Sequence, residues 1–233
     1  MRGERVLEHR LSIVEGRMSL QALLECSRSR GSTLTELLTS VLILSIHEEM
    51  RLRDEKRPVV ISIPVNLRGY FPSESARNFF TTINVGYDFS QQENSMDAVL
   101  DSVRDSFRKN LTKDQIRNRM NALCELEHSY LTRPIPLAVK NPVLRGASIV
   151  AERQTTASFS NVGRVRMPEE MEPYIHLFGA FASPNMIQAS GCSFGDYYVV
   201  SFAGPFCRHD VERAFFRRLT ELGLDVTVTT NFS

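Results

Sequence analysis

Five histidines, at positions 9, 47, 128, 176 and 209, are the side chains whose intrinsic pKa suits them best to moving protons near neutral pH. No two of them are adjacent. His209 and Asp210 look like an acid–base pair, yet neighbours at the start of a helix point in different directions, and Asp210 suits the positive helix end. His176 lies in an apolar run and reads as a core or wall residue of a strand, whereas His47, beside Glu48 and Glu49, marks the solvent edge of a buried helix. The cysteines at 26, 124, 192 and 207 form no Cys-x-x-Cys pair and have no histidine at metal-ligand spacing. Without a thiolate-stabilising neighbour they read as reduced, mostly buried thiols rather than nucleophiles, and no metal site is expected. No Walker-type or Gly-x-Gly-x-x-Gly loop follows a strand, so a nucleotide-phosphate cradle is not expected either.

Polar residues at the ends of apolar strands remain as candidates. Asn66 and Arg68 sit where a β-branched run leaves the sheet. The guanidinium there either ties the loop to backbone carbonyls or binds a carboxylate or phosphate. Ser158, Ser160 and Asn161 cluster on a later strand, and the two-residue period puts both serines on one face. They either complete turn hydrogen bonds before Gly163 or present donors to a ligand.

The elements that position these residues follow from periodicity and caps. Met1 to about Leu24 is charged, with scattered apolar residues, and reads as a lead-in in which Ser19 opens a short helix through Cys26. Thr33 with Glu36 forms a capping-box pattern before Leu37, Leu38, Val41, Leu42, Leu44, Ile46 and Met50, predicting a largely buried helix that ends before Pro58. The Val59–Val65 run predicts a strand covered on both faces, followed by a loop to Ser75 and a strand over Phe79–Tyr87. Helices are predicted over Met96–Lys109, over Leu111–Tyr130 after a Thr112 cap, and over a short stretch from Leu137 to Leu144. Four strands follow, at Thr155–Ser160, Tyr174–Phe181, Asn185–Cys192 and Tyr197–Ala203. A helix over His209–Leu222 stops at Gly223 and leads into a strand over Asp225–Thr229. The alternation predicts an α/β (α+β) sandwich with a mixed sheet and helices packed on it.

Hydrophobic residues at 42% and charged residues at 24% give an ordinary globular balance. A net charge of +1 supplies no field that would draw nucleic acid or an anionic membrane. The longest apolar run, Val41 to Ile46, is too short to cross a bilayer, and the charged Met1–Arg10 segment lacks a signal-peptide core, so a cytoplasmic location is expected.

The segment Pro58–Asp88, with Pro64-Val65-Asn66-Leu67-Arg68 closing one strand and Asn78-Phe79 opening the next, resembles alcohol acetyltransferase-like and condensation-domain-like proteins. Ser160-Asn161-Val162-Gly163 and Ser193-Phe194-Gly195-Asp196, the latter leading to a helix with Phe215 and Phe216, agree in order. The resemblance implies one lobe of the chloramphenicol acetyltransferase-like fold, whose two lobes face each other across a channel. It also implies acyl-CoA, or an acyl-carrier thioester, as the donor substrate. Family chemistry rests on a His-His-x-x-x-Asp-Gly motif on the amino-terminal lobe, whose second histidine acts as the base. The five histidines here supply no such motif. The chain is therefore expected to be the carboxy-terminal lobe, over residues 32–233, with 1–31 as linker from an amino-terminal lobe supplied in cis or as a partner subunit. On this reading it is a fragment or one subunit of a split protein, inactive alone and able to pair with a second copy through the inter-lobe face. The resemblance makes Ser158, Ser160 and Asn161 channel or oxyanion residues, and Asn66, Arg68 and Asn84 structural or CoA-side residues. The alternative is a non-catalytic binding or assembly module built on the same lobe.

Overall fold

The computed structural model describes residues 11–51, 54–128, 141–142, 146, 154–182 and 186–231. The helix expected over Leu137–Leu144 lies mostly outside them. Among the described residues seven strands form one mixed sheet in the order β3-β2-β4-β5-β6-β1-β7. They are β1 (Ser12–Ser19), β2 (Val59–Asn66), β3 (Phe80–Tyr87), β4 (Ala157–Arg164), β5 (Gln188–Phe194), β6 (Tyr197–Gly204) and β7 (Thr227–Thr230). β4 pairs in parallel with β2 and β5, and every other pairing is antiparallel.

The helices that lie wholly within the described residues are α1 (Leu20–Ser29), α2 (Leu34–Glu48), α3 (Met96–Asn110), α4 (Lys113–His128) and α5 (Asp210–Glu221). The capping box forms as its spacing predicts: the Thr33 hydroxyl accepts from the Glu36 amide, and the Glu36 carboxylate accepts from the Thr33 amide at 2.7 Å. α2 is buried from Glu36 through Ile46, and its hydroxyls at Thr39, Ser40 and Ser45 donate back to carbonyls four residues earlier. A helix enclosed on all sides must satisfy its hydroxyls internally in this way.

The core lies on one face of the sheet. Val14 and Met18, Ile61 and Ile63, Ile83 and Val85, Phe159, Ala189, Val200 and Phe202 join residues of α1, α2, α3 and α5 in a single cluster. Phe202 stands edge-on to Phe215 and Phe216, with ring centroids 5.0 and 5.6 Å away. Gly16, on β1, is where α5 comes closest, since a Cβ there would overlap the Phe216 ring.

Four expectations change at this level. Residues 12–19, which read as part of the lead-in, form β1 inside the sheet between β6 and β7, whereas the helix expected from Ser19 through Cys26 forms as α1 with Ser19 as its N-cap. The β1 alternation Ser12, Val14, Gly16, Met18 is masked in the sequence by the glycine, the serine and the charges at Glu15 and Arg17. The strand expected over Tyr174–Phe181 is instead a 3-10 turn at Glu172–Tyr174 and an irregular strap, leaving His176 exposed. Its apolar run packs over the sheet rather than into it. The cysteines are less buried than expected: Cys192 is enclosed, whereas Cys124 and Cys207, on the outer side of α4 and in the loop before α5, are exposed. β2 also departs from a doubly covered strand, because its residues alternate between buried and half-buried.

Candidate functional site

Residues opposite in phase to the core line the second face of the sheet, and on β3, β2, β4 and β5 the hydrogen-bonding side chains there are polar but uncharged. Asn84 on β3 pairs with Ser62 on β2, Ser62 with Ser158 on β4, and Ser158 with Gln188 on β5. These four form one transverse row. Beside it Ser160 pairs with Ser190 and Ser190 with Ser201, which is opposite Glu15. The side chains of Asn84, Ser62, Ser158, Ser160, Gln188 and Ser190 make no hydrogen bond within the described structure. Asn84 is exposed on the edge strand β3, Ser62, Ser158, Ser160 and Gln188 are half-buried, and only Ser190 is buried, so most of these donors and acceptors are open to solvent and free to meet a ligand.

The far side of this face is already occupied. The Ser201 hydroxyl donates to the Glu15 carboxylate at 2.6 Å, and the strap crosses them at Gly179, where a Cβ would run into that carboxylate. The Cys192 thiol donates to the Phe178 carbonyl at 3.3 Å, and Phe178 meets Phe194 edge-on at 5.1 Å. Burial, reinforced by the Glu15 charge, raises the Cys192 pKa, which keeps it a thiol and not a nucleophile. Arg17, next along β1, lies over the Tyr197 ring at 5.0 Å. The strap's outward side exposes Tyr174, Leu177 and Phe181.

Asn161 parts company with the two serines. Its amide nitrogen donates to the Thr35 hydroxyl at 2.8 Å, and its oxygen accepts from the Gly163 amide at 3.1 Å and from the buried Tyr198 hydroxyl at 3.2 Å. It is thus on the helical side, tying β4 to α2 and β6 just where the β4–β5 register shifts between Asn161 and Gly163. Asn66 accepts from the Arg68 amide, while the Arg68 guanidinium donates to the carbonyls of Ser75 and Arg77. Both hold the loop after β2. Ser62, Gln188 and Ser190 are the site residues that sequence reading missed; their one signal is a polar residue recurring every second position in otherwise apolar strands.

A second polar cluster joins the ends of the chain. His209 Nε2 is 2.9 Å from the Ser12 hydroxyl, and its Nδ1 stands 3.9 Å from Glu212. Ser12 is only 3% exposed and the His–Glu separation exceeds a hydrogen bond, so the arrangement ties β1 to α5 instead of presenting a nucleophile. Burial lowers the His209 pKa and pushes Glu212 up to about 7, aided by nearby Asp210; one Glu212 oxygen is buried without a partner. A carboxyl raised on folding contributes stability fully present below its unfolded value, near 4.5, and lost as pH rises through 7. Glu212→Gln is accordingly expected to leave the thermal midpoint nearly unchanged at pH 4 and to raise it by about 2–4 °C at pH 8.5, the shift that about 1 kcal/mol produces in a chain of this size. Calorimetry at both pH values checks this; equal shifts at both would refute it.

No protein-family model and no curated protein matches the chain. Solved structures do. The epimerization domain from the third module of tyrocidine synthetase B superposes with a TM-score of 0.59 at 12% identity, over 95% of this chain and 49% of that one. TRI101 of F. sporotrichioides, solved with coenzyme A and T-2, superposes with a TM-score of 0.61 at 11% identity, over 96% and 53%. The fold is one lobe of the chloramphenicol acetyltransferase-like architecture. Polyketide synthase associated protein 5 from Mycobacterium tuberculosis aligns in the same way, over 94% of this chain and 53% of that one, at 11% identity and a TM-score of 0.53. The lobe thus spans about half the length of each of these three chains. At these identities the likeness establishes architecture alone. Among the described residues no helix is long and apolar enough to cross a membrane.

Proposed function

We propose that this chain is the carboxy-terminal, acceptor-side lobe of a CoA-dependent O- or N-acyltransferase, and that its polar sheet face forms one wall of a channel closed by a second lobe. The carrying observation is the set of six hydrogen-bonding side chains left unpaired within the described structure, on the face opposite the core that α1, α2, α3 and α5 share. Match to half of longer chains, one of them solved with coenzyme A, supports the same reading. The second lobe comes in cis or as a partner subunit and brings the base that removes the acceptor proton during attack on the thioester. On this lobe Ser158 and Ser160, central in the sheet, are the groups suited to hydrogen-bond the developing oxyanion or hold the acceptor. His209 is bonded to Ser12 on the helix-covered side of the sheet, and His176 is exposed on the strap.

The chain alone is expected to transfer no acetyl group from acetyl-CoA to simple alcohols or amines above the uncatalysed background. Release of free thiol followed with a disulfide reagent measures this, after correction for the protein's own thiols. Sustained turnover by the purified chain would sink the assignment of the base to another lobe.

A further inference from the structure

We infer that a pocket at the carboxy-terminal end of α2, lined by His47, Glu55, Lys56, Phe89 and Ser90, binds a small free amino acid as its zwitterion. The pocket belongs to the helix-covered side of the sheet: His47 stands in the last turn of α2, and Phe89 packs against the core cluster that α2 shares. It is therefore separate from the polar face, and the inference does not rest on the acyltransferase reading.

Charge, lining and size together choose the ligand. Glu55 and Lys56 are consecutive on a turn closed by the Arg57 amide, which donates to the Asp54 carbonyl at 2.9 Å. Neither side chain makes a hydrogen bond or an ion pair within the described structure. A monoanion drawn to the ammonium meets the carboxylate, and a monocation drawn to the carboxylate meets the ammonium, so each gains little net attraction. A molecule carrying both charges satisfies both side chains, its ammonium donating to Glu55 and its carboxylate accepting from Lys56. The lining adds no third charge. The His47 ring stacks on Phe89 with centroids 3.7 Å apart, and Phe89 stands edge-on to the buried Tyr87 ring at 4.7 Å. Burial lowers the His47 pKa despite the opposing charge of Glu55, which leaves the imidazole neutral near pH 7 and the stack an uncharged wall for a short side chain. Ser90 is held beside it, because its amide and its hydroxyl both donate to the Asp88 carboxylate, at 3.0 and 2.7 Å. With its proton committed, that hydroxyl is left to accept from the ligand's ammonium. The volume, about 180 Å³, is room for about six water-sized groups and falls short of the roughly 300–1,000 Å³ of sites for larger ligands. An amino acid with a small side chain fits, and a nucleotide or a coenzyme does not.

The test uses the full chain, labelled with nitrogen-15 and titrated with L-alanine, β-alanine, N-acetyl-L-alanine and L-alaninamide. The first two are zwitterions that differ in the spacing of their charges, whereas N-acetylalanine keeps only the carboxylate and alaninamide only the ammonium. At least one of the zwitterions is expected to shift the backbone amide signals of His47, Glu55, Lys56 and Ser90 with a dissociation constant below about 10 mM, and each singly charged probe to bind at least about tenfold more weakly. Whichever of L-alanine and β-alanine binds more tightly identifies the amino-acid type that the pocket takes. Glu55→Gln should remove the preference for the zwitterion over N-acetylalanine, and Lys56→Met its preference over alaninamide. Both variants keep the fold, since neither side chain has an internal partner. Shifts confined to other residues, failure of both zwitterions to saturate, equal binding of a singly charged probe, or variants that retain the original preferences would each overturn the inference. None of those results bears on whether the chain turns over acetyl-CoA, so failure here is distinguishable from failure of the acyltransferase reading.

Discussion

Phe202→Ala is expected to destabilise the chain by about 3–5 kcal/mol, the range for removing a large aromatic from a closed core. Phe202 is 1% exposed and holds β6 against α5 through the rings of Phe215 and Phe216. Neither side can collapse into the vacated space. The β6 backbone is fixed by ladders to β5 and β1, and α5 is already in closest contact with β1 where Phe216 rests on Gly16. The cavity therefore persists, and its unfilled volume adds to the lost transfer energy. Urea unfolding followed by circular dichroism should show the midpoint falling with little change in slope. A loss below about 1.5 kcal/mol would mean that α5 can settle onto the sheet, contrary to the tight Gly16–Phe216 approach. Phe202→Leu, which keeps most of the volume, is expected to cost less than half as much.

What made the core legible in the sequence was repetition with a single period. The capping box at Thr33, the apolar stripe of α3 and the Val59–Val65 run each state one local preference, and tertiary packing agrees with it. β1 was illegible because its inward positions are Ser12, Val14, Gly16 and Met18, so two of four carry no apolar side chain. The small residues are there because His209 and Phe216 fill the space from α5. The strap from Ile175 onward was misread for the opposite reason. Its composition suits a strand, but the apolar side chains at Phe178 and the small Gly179 serve contacts with Phe194 and Glu15 across a sheet whose edges lie elsewhere. Local sequence encodes how a residue prefers to pack, not which surface will be available to it. The candidate site was half legible on the same account. Ser158 and Ser160 show the two-residue period, whereas Ser62, Asn84 and Gln188 become their neighbours only through pairings between segments far apart in the chain.

Asn161 is the point at which the buried and open faces are mechanically joined, and Asn161→Ala is expected to cost about 2–4 kcal/mol, more than one ordinary hydrogen bond contributes. The amide satisfies three partners, Thr35, Gly163 and Tyr198, of which the Tyr198 hydroxyl has no recourse to solvent. Burial holds that phenol far above its ordinary pKa, so it stays protonated and requires an acceptor. Removing the acceptor leaves a buried donor unpaired, a larger penalty than losing the bond itself. If this account is correct, Tyr198→Phe should be destabilising in the natural chain yet should recover about 1 kcal/mol in the Asn161→Ala background, where the hydroxyl has become a liability. Denaturation of all four proteins closes the cycle. Because Asn161 also fixes the register break that follows Ser158 and Ser160, the Asn161→Ala chain should show altered amide signals at both serines. Additive losses in the cycle, with the serine signals unmoved, would show that the two faces of β4 are independent and that the open row is positioned by strand pairing alone.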